Sequence, residues 1–89
     1  MTTLRFTPNL TRLVDAPPAQ LKGDTLREVL EMYFQTHPRV RAYVLDDQGA
    51  LRKHVAIFIN QELISDRLTL SDPIGEQDAI FVAQALSGG

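Results

Sequence analysis

Between Thr25 and Phe34 the apolar residues Leu26, Val29, Leu30, Tyr33 and Phe34 recur at helical spacing and form one continuous stripe. Thr25 is placed to cap that helix. Glu28, three residues on, can reach back to the cap amide in a capping box. His37-Pro38 ends the helix, because the residue before a proline is pushed out of the helical region.

On either side the period shortens to two. Leu4, Phe6 and then Pro8 alternate with Arg5 and Thr7, which predicts a half-buried first strand. Leu10, Leu13, Val14 and Leu21 are apolar, but Pro17-Pro18 cannot donate to a ladder, so a second strand before Gly23 must be short and at an edge. Val40, Ala42, Val44 and Leu45 predict a third strand, turning at Asp46-Asp47-Gln48-Gly49 into a hairpin. Val55, Ile57 and Ile59 alternate with Ala56, Phe58 and Asn60 as a fourth. From Glu62 to Asp78 a long connector follows, with Leu63, Leu68, Leu70 and Ile74 expected to pin it to the core. Ala79 to Ala83 forms the last strand, Ile80 and Val82 opposing Phe81 and Ala83. One main helix on a mixed sheet is an α+β sandwich of two layers.

The remaining composition narrows the chemistry. At 89 residues, 44% hydrophobic and 22% charged, the chain is one ordinary globular domain with room for a single core. No apolar run approaches the roughly 20 residues of a membrane span. Met1 to Arg5 lack the basic start and apolar stretch of a secretory signal, so a cytoplasmic location is expected. There is no cysteine, which excludes disulfides, thiolate metal ligands and a cysteine nucleophile. A net charge of −2 argues against nucleic acid as a partner.

Local constellations add little. His37 and His54 have no metal-like spacing, and Asp46-Asp47 reads as turn chemistry before it reads as an acid/base pair. Arg39, Arg41, Arg52 and Lys53 can gather into a basic patch for RNA or an acidic partner. Without interleaved aromatics a solvated face is the expectation. No glycine-rich phosphate loop exists, so any ATP chemistry belongs to another protein.

That leaves the end of the chain, where Gln84-Ala85-Leu86-Ser87 separate the last strand from Gly88-Gly89. With glycine at about 7% of residues, a terminal pair arises by chance in roughly 0.5% of chains. Alone it reads first as a frayed end or a cloning scar; the order of elements gives it weight. Three stretches carry a resemblance: Gly23-Asp24-Thr25-Leu26 entering the helix, His54 to Glu62 through the fourth strand, and Asp78-Ala79-Ile80 leading to Ala85-Leu86-Ser87-Gly88-Gly89. With them the chain resembles, over nearly its whole length, the ubiquitin-like β-grasp sulfur carriers. These include the molybdopterin-synthase small subunit, the thiamine carrier and the cysteine-biosynthesis carrier, and Leu51-Arg52-Lys53-His54-Val55 looks closest to the last. It departs from that pattern where Gln84-Ala85 replace the prolines common after the last strand, and where Gln77-Asp78 replace the usual Asp-Gly-Asp.

The resemblance implies a β-grasp domain over residues 1–84 with a flexible tail at 85–89, acting as a carrier and not itself an enzyme. Gly89 would carry first adenylate and then sulfur, Gly88 would keep the end thin, and Leu86 and Ser87 would set its reach. The implied partners are a ubiquitin-activating-like adenylyltransferase, which uses ATP and Mg²⁺, and a sulfur-accepting biosynthetic enzyme. The chain would bind no cofactor or metal, no nucleic acid and no membrane, and be a monomer alone. Leu63 matches an apolar docking position of the molybdopterin carrier. Phe58, Phe81 and Ala83, facing away from the helix, would extend that surface. Independently, residues without a Cβ suit a narrow channel. Two other functions fit the same tail: a modifier joined through Gly89 to lysines, or an interaction domain whose Gly-Gly has no chemistry.

Overall fold

The computed structural model describes residues 1–84. Its central strand is β5 (Ala79–Gln84), which runs parallel to β1 (Thr2–Phe6) on one side and antiparallel to β3 (Val55–Ile59) on the other. Strand β2 (Ala19–Leu21) extends the sheet beyond β1, and β4 (Glu62–Leu63) extends it beyond β3, giving the order β2-β1-β5-β3-β4. As expected, the strand after Pro17-Pro18 is short and lies at an edge.

Register sorts the side chains. Leu4 stands beside Ile80, Phe6 and Ile57 beside Val82, and Ile59 beside Ile80, so one apolar set faces the helices. Helix α2 (Leu26–Thr36) lies on that set, and all five residues of its predicted stripe are buried. Each large aliphatic side chain so buried contributes about 1.5–3 kcal/mol. Tyr33, 1% exposed, lies tilted against Phe6 with ring centres 5.1 Å apart and donates its hydroxyl to the Pro17 carbonyl at 2.8 Å, tying the proline segment to the helix. Burial, with the nearby Asp15 charge, pushes that phenol up to about 12.

The start of α2 is capped as expected at Thr25, whose Oγ1 accepts from the Glu28 amide at 3.2 Å. Glu28, however, reaches back to the amide of Asp24 at 2.8 Å, one residue before the cap. Gly23 is needed just upstream: an added Cβ would meet Val29 Cγ2 at 2.8 Å and the Val29 amide nitrogen at 3.0 Å.

Three expectations require correction. Residues 40–45 are not a strand: Pro38–Val44 form helix α3, with Val40 and Val44 buried one turn apart. Pro38 that ends α2 starts α3, since a proline at the first helical position sacrifices no hydrogen bond. The Asp46–Gly49 turn is present, with Gly49 at φ +83, but it closes only an isolated bridge between Leu45 and Leu51. Pro8 likewise opens a short helix, α1 (Pro8–Thr11), instead of continuing β1. In the connector Leu70 and Ile74 are buried as expected, whereas Leu63 and Leu68 are 62% and 73% exposed and pin nothing.

The connector is held instead by polar groups. Asp66 accepts from the amides of Leu68, Thr69 and Ser71 and from the hydroxyls of Thr69 and Ser71, which holds its carboxyl well below the usual range. Asp72 accepts from the amides of Ser65 and Asp66. Arg27 then clamps this loop to the helices, donating to the carbonyls of Thr69 and Gly49 and pairing with Glu31, which also meets Arg41.

Candidate functional site

The same register that fills the core sets the opposite face. Phe58 stands beside both Phe81 and Leu63, Ala56 beside Ala83, and Arg5 beside Phe81. Side chains alternate along a strand, so these residues share the face that carries no helix. Phe58, Phe81 and Ala83 are half-buried, and Leu63 is exposed at the edge. The four residues expected to form a docking surface are therefore contiguous across β5, β3 and β4.

Arg5 was not anticipated. Its guanidinium lies 5.7 Å from the centre of the Phe81 ring, and it makes no ion pair among the described residues. It borders a shallow cleft of about 380 Å³ lined also by Asn60, Gln61, Ala79 and Phe81. The alternation of β1 already put Arg5 opposite Leu4 and Phe6. Only the parallel pairing of β1 with β5 brings it to Phe81.

At one end of β5 a polar clasp fixes the strand. Asp78 accepts from the Gly75 amide at 2.7 Å and from the Asn60 side-chain amide at 2.8 Å, while Asn60 accepts from the Ala79 amide. Those donors hold the Asp78 carboxyl below its ordinary value, the Gly75 amide contributing most. Asp78 is thus a structural acceptor. Asn60 and Gln61 take positive φ to make the tight turn into β4.

At the other end β5 is anchored to α1. The Gln84 amide donates to Thr7 Oγ1 at 3.2 Å, the Thr7 amide donates to the Val82 carbonyl, and Asn9 donates its side-chain amide to the Gln84 carbonyl at 3.1 Å. Gln84 Oε1 is a buried acceptor with no partner among the described residues. Leu86, Ser87, Gly88 and Gly89 lie outside the described residues. A scan of family models matches residues 13–89, through to Gly89, to the ThiS family.

The chain belongs to the ThiS family.

Members of this family are small ubiquitin-like carrier proteins. Solved structures agree with the family in fold. A chain of the BexX/CysO complex of Amycolatopsis orientalis superposes at a TM-score of 0.81 with 18% identity, each chain covered over 100% of its length. The small archaeal modifier protein 1 of Methanosarcina acetivorans gives 0.79 with 21% identity, covering 99% of this chain and 95% of that one. The complex of subunits 1 and 2 of the molybdopterin-converting factor of Helicobacter pylori gives 0.61 with 21% identity, covering 99% and 97%. These likenesses establish the β-grasp, ubiquitin-like fold for this ThiS-family chain. No match was found among curated protein sequences.

The remaining candidates do not assemble. His37 stacks on Tyr33 at 4.4 Å between ring centres, and His54 is exposed before β3. Among the described residues no group of His, Asp or Glu could hold a metal ion, and no helix is long and apolar enough to cross a membrane. The four cations that could have gathered into a patch divide: Arg41 pairs with Glu31, Arg39 lines a cleft near Leu13, and Arg52 donates Nε–H to the Ala42 carbonyl at 2.7 Å beside Lys53.

Proposed function

We propose that this chain is a sulfur carrier whose Gly89 carboxylate is activated and converted to a thiocarboxylate by partner enzymes. The observation that carries this reading is the family match running through Gly88-Gly89. A carboxylate resists direct attack by sulfide. In the proposed cycle a carboxylate oxygen of Gly89 attacks the α-phosphorus of ATP and pyrophosphate leaves. Sulfide then attacks the acyl carbon and AMP leaves with that oxygen, so the chain ends in C(=O)–S⁻. ATP and Mg²⁺ would be held by a ubiquitin-activating-like adenylyltransferase, and the sulfur would pass to a biosynthetic enzyme in cofactor or cysteine synthesis.

The body supports the tail in two ways. Fully extended, five residues span at most about 18 Å, so the partner must come close to the end of β5. The face formed by Phe58, Phe81, Ala83 and Leu63 offers an apolar anchor of the kind that association needs. Because the chain lacks cysteine, none of its own thiols can compete for the activated carbonyl. A second reading, attachment of Gly89 to lysines of other proteins, draws support from the likeness to a small archaeal modifier protein.

The deciding experiment incubates the full chain with host extract, ATP, Mg²⁺ and sulfide and reads its intact mass. Exchange of one oxygen for sulfur, localised to the Gly88-Gly89 peptide, is the expected result. Isopeptide conjugates without that exchange would favour the modifier reading, and no change at Gly89 would overturn both. Deleting Gly89 should abolish the exchange and leave thermal unfolding unaltered.

A further inference from the structure

Although the chain carries a net charge of −2, its charges are unevenly placed about the sheet. Strand β5 is central, so the ends of both its neighbours flank Gln84, the last described residue. On one side β1 runs into α1, where Asn9 holds the Gln84 carbonyl and Arg12 lies one helical turn further on. On the other side β3 is entered from Arg52-Lys53-His54, and Val55 pairs directly with Gln84. Those three residues are exposed and line, with Gln84, an open cleft of about 470 Å³.

Arg12 and Lys53 make no ion pair or side-chain hydrogen bond among the described residues. Asp46 borders the cleft, but its Oδ1 is taken by the amides of Gln48 and Ala50; Asp15 sits near Tyr33. The far end of the sheet is the acidic one, with Asp24, Glu62, Glu76 and Asp78 against Lys22.

We propose that Arg12 and Lys53 form a cationic collar at the Gln84 end of the sheet that engages an acidic rim on the adenylyltransferase that activates Gly89. The inference rests on the carrier reading and adds the chemistry of the partner's surface. A collar at that end orients the molecule with Gln84 foremost, because the dipole turns the basic end toward negative charge. Arg12 follows α1 directly and Lys53 precedes β3, so both charges are carried by the folded body at the moment of encounter. The collar acts on association, and the transfer chemistry at Gly89 does not depend on it.

The test measures the initial rate of Gly89 modification in host extract, across carrier concentrations and salt, for Arg12→Glu, Lys53→Glu and the pair. Lys22→Glu, at the opposite end, makes the same change in net charge as either single variant. Steering predicts that at low salt and low carrier concentration each collar variant is roughly 3- to 10-fold slower, with the loss shrinking as salt rises. Saturating carrier should restore the wild-type rate, and Lys22→Glu should match wild type throughout.

Equal loss in Lys22→Glu would mean that net charge matters and not the collar, and would overturn the proposal. So would a lowered rate at saturation, which assigns the cations to the reacting phosphate. Unchanged rates in the collar variants would overturn the collar while leaving the carrier reading intact. Absence of modification in the wild type would instead remove the carrier reading, and the collar with it. Circular dichroism of each variant separates these outcomes from misfolding.

Discussion

The two faces of one sheet are made by the same strands and the same alternation, yet only one is covered. Leu4, Ile57, Ile80 and Val82 are at most 1% exposed beneath α2. Phe58, Phe81 and Ala83 hold mirror positions on those strands and remain half-exposed. An apolar face left uncovered contributes little to the stability of the free protein, so its residues are available for association. The inner face answers to folding, and the outer face is the one the proposed carrier role would use for docking.

The sharpest way to break this contrast is to truncate the inner face. Ile80→Ala should destabilise the protein by about 2–5 kcal/mol, read from the urea midpoint, because the sheet cannot collapse onto the lost methyl groups. Gly23→Ala should come next, at about 1–3 kcal/mol. The new Cβ meets backbone as well as side chain of Val29, so rotation of one side chain cannot relieve it. Phe81→Ala should cost less than about 1 kcal/mol by the same measurement, as a surface change that opens no core cavity. Its loss should appear instead in Gly89 modification, and loss of stability there equal to that of Ile80→Ala would erase the distinction.

The smallest effect concerns Tyr33, whose hydroxyl is held within the inner layer. Its pKa is about 12 in the fold against 10.0 ordinarily, so the neutral form is the one the fold favours. The corresponding stability is fully present below pH 10.0 and is lost as pH rises toward about 12. Relative to Tyr33→Phe, wild-type unfolding midpoints should therefore fall over that alkaline window and run parallel below it.

Much of this contrast was legible before any coordinates. The stripe on α2 and the opposed pairs Ile80/Phe81 and Ile57/Phe58 follow from period alone. What misled was residues 40–45. Val40 and Val44 are four apart, a spacing that satisfies a strand of period two and a helix of period 3.6 equally well. Ala42 distinguishes them, being exposed on the helix where a strand would bury it, but a small residue signals burial weakly. Pro38 held the better clue, since a proline that stops one helix can begin another. The pairing of Arg5 with Phe81 and the meeting of Gln84 with Asn9 and with the cleft beside Lys53 depend on which strands are neighbours, which periodicity does not encode.

Because β5 lies between β1 and β3, the middle of the sheet joins segments more than 70 residues apart in sequence. During synthesis the chain can make the β1-β2 pair and the β3-β4 pair early, yet these remain two separate ribbons. Only when β5 emerges can it be inserted between them, and a two-stranded ribbon is marginal on its own. The core therefore closes last, with the segment immediately preceding the terminal glycines. Translation order thus acts as a checkpoint: a chain stopped before β5 lacks the strand that joins the two ribbons and cannot complete the fold.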